Sequence, residues 1–186
     1  MAMGDSNGCP GRPMRTILVV DDSRTTLNSI GERLTALGYL TALIDNGGEA
    51  LDLISARGFD LVLLDMVMPG MSGIQVLAEL RSRTETSDLP VIVITARDDA
   101  GAAVEALAAG ADDHLAKPFD FDVLVARIER TLARGRRIAD LKRSNASLDA
   151  RIAARAMELG EARAELADVR ADRQRLTAEM ERLRAA

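Results

Sequence analysis

The sequence predicts an open α/β fold: a five-stranded parallel sheet with helices on both faces, continued by one long C-terminal helix. Three observations predict it. Short, wholly apolar runs alternate with amphipathic stretches of helical period. The most apolar of these runs stop abruptly at a polar or acidic residue, as strands buried on both faces do. From residue 134 onward the chain changes to Ala, Leu, Arg and Glu with a sustained heptad repeat.

Thr16–Val20 (TILVV) reads as the first buried strand and ends at Asp21 and Asp22. Ser23 is placed to cap a helix over 24–37, with Leu27, Ile30, Leu34 and Leu37 on one face and Gly38 as its stop. Leu40–Ile44 is a short strand, and 48–57 a helix carrying Ala50, Leu51 and Ile54 inward. Asp60–Leu64 (DLVLL) is a second buried strand, followed at once by Asp65. After the Pro69-Gly70 loop, 73–83 reads as a helix. Pro90 opens VIVIT, which ends at Thr95; 98–109 is an Ala-rich helix closed by Gly110. Asp113–Ala116 is a short last strand, Lys117-Pro118 follows, and the final helix starts near Asp120. Connections this short between alternating elements require parallel strands with right-handed crossovers. Asp112 and Asp113 read as solvated turn residues, and Met66, Met68 and Met71 as loop packing.

Composition narrows the class. With 47% apolar and 28% charged residues among 186, a packed core is expected; with 2% aromatic residues and no Trp, that core is aliphatic. No apolar run is long enough to span a membrane, and the first residues lack the apolar stretch of a secretory signal. The single cysteine, Cys9, excludes an internal disulfide and fits a reducing cytoplasm, the expected location. The single histidine, His114, argues against a histidine-built metal site or a Ser-His triad. Residues 1–133 carry 11 basic and 20 acidic side chains, a balance of −9; residues 134–186 carry 13 and 9, a balance of +4. The acidic first part argues against its gripping a nucleic-acid backbone. Of 24 basic residues only Lys117 and Lys142 are lysine, so Lys117 stands out from an arginine background.

In open α/β sheets the ligand site lies beyond the carboxyl ends of the strands. That rule collects Asp21, Asp22, Asp65, Thr95 and Lys117. Any one of these carboxylates alone reads equally well as a cap or turn residue. Together, three carboxylates converging on one crevice repel each other and call for a hard divalent cation, Mg2+ or Mn2+. A carboxylate beside such a cation, a hydroxyl and an ammonium is a plausible acceptor for a phosphoryl group.

The motifs ILVVDDSRTT, LVLLDMVMPGMSG, VIVITA and ADDHLAKPF, in this order and spacing over about residues 14–133, resemble the receiver domain of bacterial two-component response regulators. The resemblance implies the CheY-like (flavodoxin-like) (βα)5 three-layer sandwich. It implies Asp65 as the phosphorylated aspartate and Asp21, Asp22, Asp65 and the backbone carbonyl of Val67 as the Mg2+ set. Thr95 and Lys117 would bind the phosphoryl oxygens, and the Lys117–Pro118 peptide would be cis. His114 stands where the family usually has the Tyr or Phe that moves with the threonine, and Arg97 and Val67 stand where side chains flank the phosphoryl group. A cognate histidine kinase or phosphotransfer protein is the implied donor. The implied chemistry is confined to phosphorylation and dephosphorylation of the chain itself, without an enzyme's external substrate.

The remainder reads as coiled coil. Two apolar stripes repeat every seven residues: Ile138, Asn145, Ile152, Leu159, Leu166, Arg173 and Met180, and Leu141, Leu148, Arg155, Ala162, Val169, Leu176 and Leu183. Eleven of these fourteen are apolar, and a stripe this long needs a partner helix, for which a second copy is the simplest source. The division expected is an arm over 1–14, a receiver over 15–133 and a coil over 134–186. The segment LDARIAARAMELGEARAEL also resembles the signalling helices that join receiver or sensor modules to output domains. No helix-turn-helix, kinase or cyclase motif follows it. The expected function is therefore a phosphorylation switch acting through a dimeric coil on a downstream protein or a domain outside this sequence. The alternative is a constitutive dimeric scaffold with a vestigial receiver site.

Overall fold

The computed structural model describes residues 14–96 and 100–184. The expected arm up to residue 13, with Cys9, and Arg97 lie outside them. The chain divides after Arg136 into two compact units.

In the first unit β1 (Thr16–Val20), α1 (Arg24–Ala36), β2 (Leu40–Ile44), α2 (Gly47–Ala56), β3 (Leu61–Asp65), α3 (Gly73–Ser82), β4 (Val91–Ala96), α4 (Ala100–Ala108) and β5 (Asp113–Lys117) alternate, and α5 (Phe121–Arg184) closes the series. The strands form one parallel sheet in the order β2-β1-β3-β4-β5. This is the CheY-like α/β sandwich that the sequence predicts.

The apolar strands bury both faces because their period of two sends alternate residues to opposite sides. Leu18 and Val20, Val62 and Leu64, and Val91 and Val93 pack with Ala50, Ile54, Val76, Leu77, Leu80, Ala102 and Ala106 of α2, α3 and α4. Ile17 and Val19, Leu61 and Leu63, and Ile92 and Ile94 pack with Leu27, Ile30 and Leu34 of α1 and Leu124, Ile128 and Leu132 of α5. Small Ala102 and Ala106 let α4 approach the sheet with a narrow apolar stripe. Arg33 of α1 lies 3.9 Å over the Phe121 ring and joins the two helices of that layer.

Local chemistry sets the element ends. The Ser23 hydroxyl accepts from Thr26 N–H and Asn46 Oδ1 from Glu49 N–H; Ser72 and Gln75 form a reciprocal capping box on α3. Gly38 follows α1 at φ +86°, a conformation open to glycine. Two boundaries differ from expectation in a consequential way. β3 extends through Asp65, which pairs with Ile94, and β5 includes Lys117, which pairs with Ala96. The two chemical side chains are thus set by sheet register and not by loops.

Asp112 and Asp113 are not solvated turn residues. The Arg81 guanidinium spans the end of the sheet: Nη2 donates to Asp112 Oδ2 at 3.1 Å, Nε to the Gly110 carbonyl and Nη1 to the Leu89 carbonyl. Asp112 also accepts from Val91 N–H at 3.0 Å, so it fixes where β4 begins. Asp113 takes Arg127 Nη1 on both carboxylate oxygens, at 2.6 and 2.7 Å, and ties β5 to α5.

The second unit is helix alone. Every described residue from Arg137 onward is exposed, including the seam: Leu141 is 65%, Ile152 66% and Val169 60% accessible. Arg143 pairs with Asp140, and Arg175 with Asp172, along the helix surface. No helix among the described residues is long and apolar enough to cross a membrane.

Leu63, at the centre of β3 with no accessible surface, tests the core. Leu63→Ala is expected to cost about 2–5 kcal/mol in a denaturant titration of the full chain.

Candidate functional site

Chain order places β1 and β3 side by side, with β2 and β4 on their outer edges. The direction of winding reverses between β1 and β3, so a crevice opens at their carboxyl ends. Asp21 follows β1 and Asp65 ends β3, both at this point. Asp21 has no accessible surface and Asp65 only 6%, whereas Asp22 faces solvent. One oxygen from each of Asp21, Asp22 and Asp65 falls in a group whose members all lie within 4.8 Å of one another.

Lys117 joins two of them. Lys117 Nζ donates to Asp21 Oδ2 at 2.6 Å and to Asp65 Oδ1 at 2.9 Å. It reaches from β5, on the far edge of the sheet, to the ends of β1 and β3. A planar, forked guanidinium would not present one point charge to two separate carboxylates in this way. The other oxygen of Asp21 accepts from Ser23 N–H at 2.9 Å, so Asp21 is held from two sides. Thr95, at the end of β4, is 2% accessible and pairs in register with Ala116.

The loop after β3 is shaped by one close approach. Met66 N–H donates to the Ile94 carbonyl, and Gly73 N–H donates back to the Met66 carbonyl at 3.0 Å. A Cβ on Gly73 would stand 2.3 Å from the Asp65 carbonyl oxygen, so glycine is required at the start of α3. Met66 and Met68 are buried, which turns the Val67 side chain between them out to solvent, 69% accessible. Gly70 completes the turn at φ +79°. Asp65, Val67 and the site are thereby fixed by a loop whose own core contacts are methionines.

The charges do not balance. Three carboxylates face one ammonium, and burial of the Asp65 carboxyl raises its pKa above the ordinary value of 3.8. Lys117 opposes that shift, and Asp21 and Asp22 add to it. Burial acts to lower the pKa of Lys117, but its bonds to Asp21 and Asp65 outweigh burial and the value rises above 10.5. An all-oxygen donor set with surplus negative charge fits a hard divalent cation. Asp21, Asp22 and Asp65 are the residues that could hold one.

His114 lies three residues before Lys117 on the edge strand β5, half-buried, and its backbone N–H donates to Asp113 Oδ1. The Lys117–Pro118 peptide is cis. Sequence reasoning missed Ser23 N–H as a ligand of Asp21 and the steric demand on Gly73. The serine was visible as a cap, and the glycine as part of PGMSG, but neither contact is a property of sequence spacing.

The description of the response regulator receiver domain family matches residues 17–129. The chain belongs to this family. Response regulator MprA of Mycolicibacterium vanbaalenii is 46% identical over 122 residues, 66% of this chain and 52% of that protein. The chain thus spans about half the length of the curated relatives it matches. Among solved structures, the receiver domain of a signal transduction histidine kinase from Syntrophus aciditrophicus is 34% identical with a TM-score of 0.61, covering 64% of this chain and 90% of that one. The receiver domain of the Francisella response regulator 1452 is 33% identical with a TM-score of 0.60, covering 64% and 98%. All of these likenesses fall short of the full chain.

The shifted groups of the receiver site give a stability signature. A raised Asp65 pKa means that the folded state binds this proton more tightly than the unfolded chain. The associated stabilisation is complete below pH 3.8 and is lost as pH rises through the folded value. At neutral pH the ionised Asp65 is therefore a net cost in the metal-free protein. Asp65→Asn is expected to unfold at a higher temperature than wild type in EDTA by calorimetry. Lys117→Met should do the reverse, since it leaves a buried carboxylate unpaired. With Lys117 32% exposed, a loss near the lower end of the range for broken buried pairs is expected, about 3 kcal/mol. The contribution of Lys117 is complete below pH 10.5 and is lost as pH rises through its higher folded value.

Proposed function

We propose that this chain is the phospho-accepting switch of a two-component system, with Asp65 as the acceptor and the C-terminal helix as the transmitting element. The observation that carries the reading is the buried Asp65 carboxylate, held by Lys117 on one oxygen, at the mouth of the sheet's switch point. A carboxylate oxygen of Asp65 attacks the phosphorus of a phosphohistidine on a histidine kinase or phosphotransfer protein. The P–N bond breaks, the imidazole departs, and an acyl phosphate remains on Asp65. Water later attacks that phosphorus, returning the carboxylate and inorganic phosphate, so the chemistry is confined to the chain itself. Lys117 supplies a fixed positive charge to the phosphoryl oxygens. The Thr95 hydroxyl, at the carboxyl end of β4, is assigned to donate to another of them.

Asp21, Asp22, Asp65 and the Val67 carbonyl are the groups that would hold Mg2+ or Mn2+. When bound, such a cation supplies charge neutralisation for the phosphoryl oxygens. Asp21 is fixed by Ser23 and Lys117, and Asp22 is open to solvent, an arrangement that suits one rigid and one adaptable donor.

The output runs through α5. Its inner turns pack Leu124, Ile128 and Leu132 against the sheet, and its outer seam is uncovered. We assign that seam to a homodimeric coiled coil whose state changes with the phosphoryl group and is read by a downstream protein. The single cysteine, as in proteins of a reducing compartment, supports a cytoplasmic location for the switch.

Incubation with acetyl phosphate and Mg2+ is expected to add one phosphoryl group to the intact protein by mass spectrometry. Asp65→Asn should abolish the gain, and Lys117→Arg should slow it at least ten-fold, about 1.4 kcal/mol of transition-state stabilisation. Wild-type protein that takes up no phosphoryl group while remaining dimeric would favour a constitutive scaffold.

A further inference from the structure

The exposed half of α5 carries a charge pattern with a direction. Let a denote the stripe running from Ile138 through Asn145 and Ile152, and d the stripe running from Leu141 through Leu148. The residue before each a position becomes uniformly acidic from Glu158 on: Glu158, Glu165, Asp172 and Glu179. The residues after the d positions over the same stretch are Arg163, Arg170, Thr177 and Arg184. All are exposed, and so is the seam between them.

These two rows face each other differently in the two possible directions. In a parallel, in-register pair the residue before a meets the residue five positions later on the other helix. Glu158 then meets Arg163, Glu165 meets Arg170, and Glu179 meets Arg184, each twice by symmetry. The one like-charged match is Arg137 with Lys142, at the end where the coil begins. In a fully overlapped antiparallel pair, Glu158 instead meets Glu165. Only Arg151 with Asp172 and Asp149 with Arg170 are complementary in that case.

The seam polar groups agree. Parallel strands put Asn145 opposite Asn145 of the other copy, where one amide donates to the other's carbonyl oxygen. Antiparallel strands put it opposite Leu176 and leave a buried amide unpaired, which is costly. Arg155 and Arg173 are the opposing considerations, since parallel strands bring each against its own copy. Each stem can stay in the seam while the guanidinium reaches outward, that of Arg173 toward Asp172 of the other copy. One and two heptads before Ile138 stand Thr131 and Leu124, both buried in the receiver's own core, so the seam becomes available to a partner only from about Ile138.

We propose that residues 138–184 pair with a second copy of this chain as a parallel, in-register, two-stranded coil, its direction set by the Glu158–Arg163, Glu165–Arg170 and Glu179–Arg184 pairs and its register by Asn145. This rests on the homodimer reading above and adds its geometry. The consequence is that two receiver domains lie at the same end of the coil, and whatever contacts the coil near Arg184 meets two identical helices side by side.

The test uses the full chain with Cys9→Ser and one introduced cysteine, Leu148→Cys or Leu176→Cys, oxidised in a glutathione buffer. Facing d positions in parallel register satisfy the Cα separation a disulfide needs. Each variant is expected to link to itself nearly completely on a non-reducing gel, with a two-chain mass by sedimentation. A dimer in which neither links to itself, but a mixture of Asn145→Cys and Leu176→Cys chains does, would establish antiparallel strands and overturn the proposal. A dimer in which none of these links would overturn the register. A three- or four-chain mass would overturn the two-stranded count, and a one-chain mass would sink the homodimer reading itself. In a second measurement, Glu158→Arg with Glu165→Arg should weaken self-association about ten-fold at low salt. Mixing with chains carrying Arg163→Glu and Arg170→Glu should restore it. Absence of that rescue would overturn the assigned pairs.

Discussion

The receiver site depends on one ammonium shared between two buried carboxylates. Lys117 binds Asp21 and Asp65 from the opposite edge of the sheet, and its position in β5 is meaningful only because β1, β3, β4 and β5 stand in that order. Its single charge is too little for three carboxylates. Burial raises the pKa of Asp65, the neighbouring Asp21 and Asp22 add to the shift, and the crevice therefore favours added positive charge. The packing of the sheet exists, in this sense, to hold an unfavourable set of charges in place.

Alternate residues of β1, β3 and β4 fill two aliphatic layers, and the arginine clamps at Asp112 and Asp113 fasten the β4–β5 side of the sheet to α3 and α5. The C-terminal helix is the opposite case. Its seam is mostly apolar, yet every described residue of it is exposed.

Much of the receiver was legible in the sequence because buried parallel strands are continuous apolar runs and their ends are marked by the site residues. Asp21, Asp65, Thr95 and Lys117 could all be picked out from strand ends and from the scarcity of lysine. Asp112 and Asp113 depart from the sequence expectation because an acid pair in a Gly-Ala turn has the same local signature whether it is solvated or clamped by arginines 31 and 14 residues away. The demand on Gly73 was hidden for a similar reason. It arises from a carbonyl eight residues earlier that only the turn at Gly70 brings near.

The sequence by itself determined the layering, the alternation of elements, the heptad seam and its charge rows, since these follow from residue periodicity and need no knowledge of neighbours. Only the tertiary structure decided which oxygens Lys117 binds, that Asp21 takes a second bond from Ser23, and that Asp65 and Lys117 belong to strands with fixed register. Those facts depend on strand order, and strand order is a property of how the crossovers close in space.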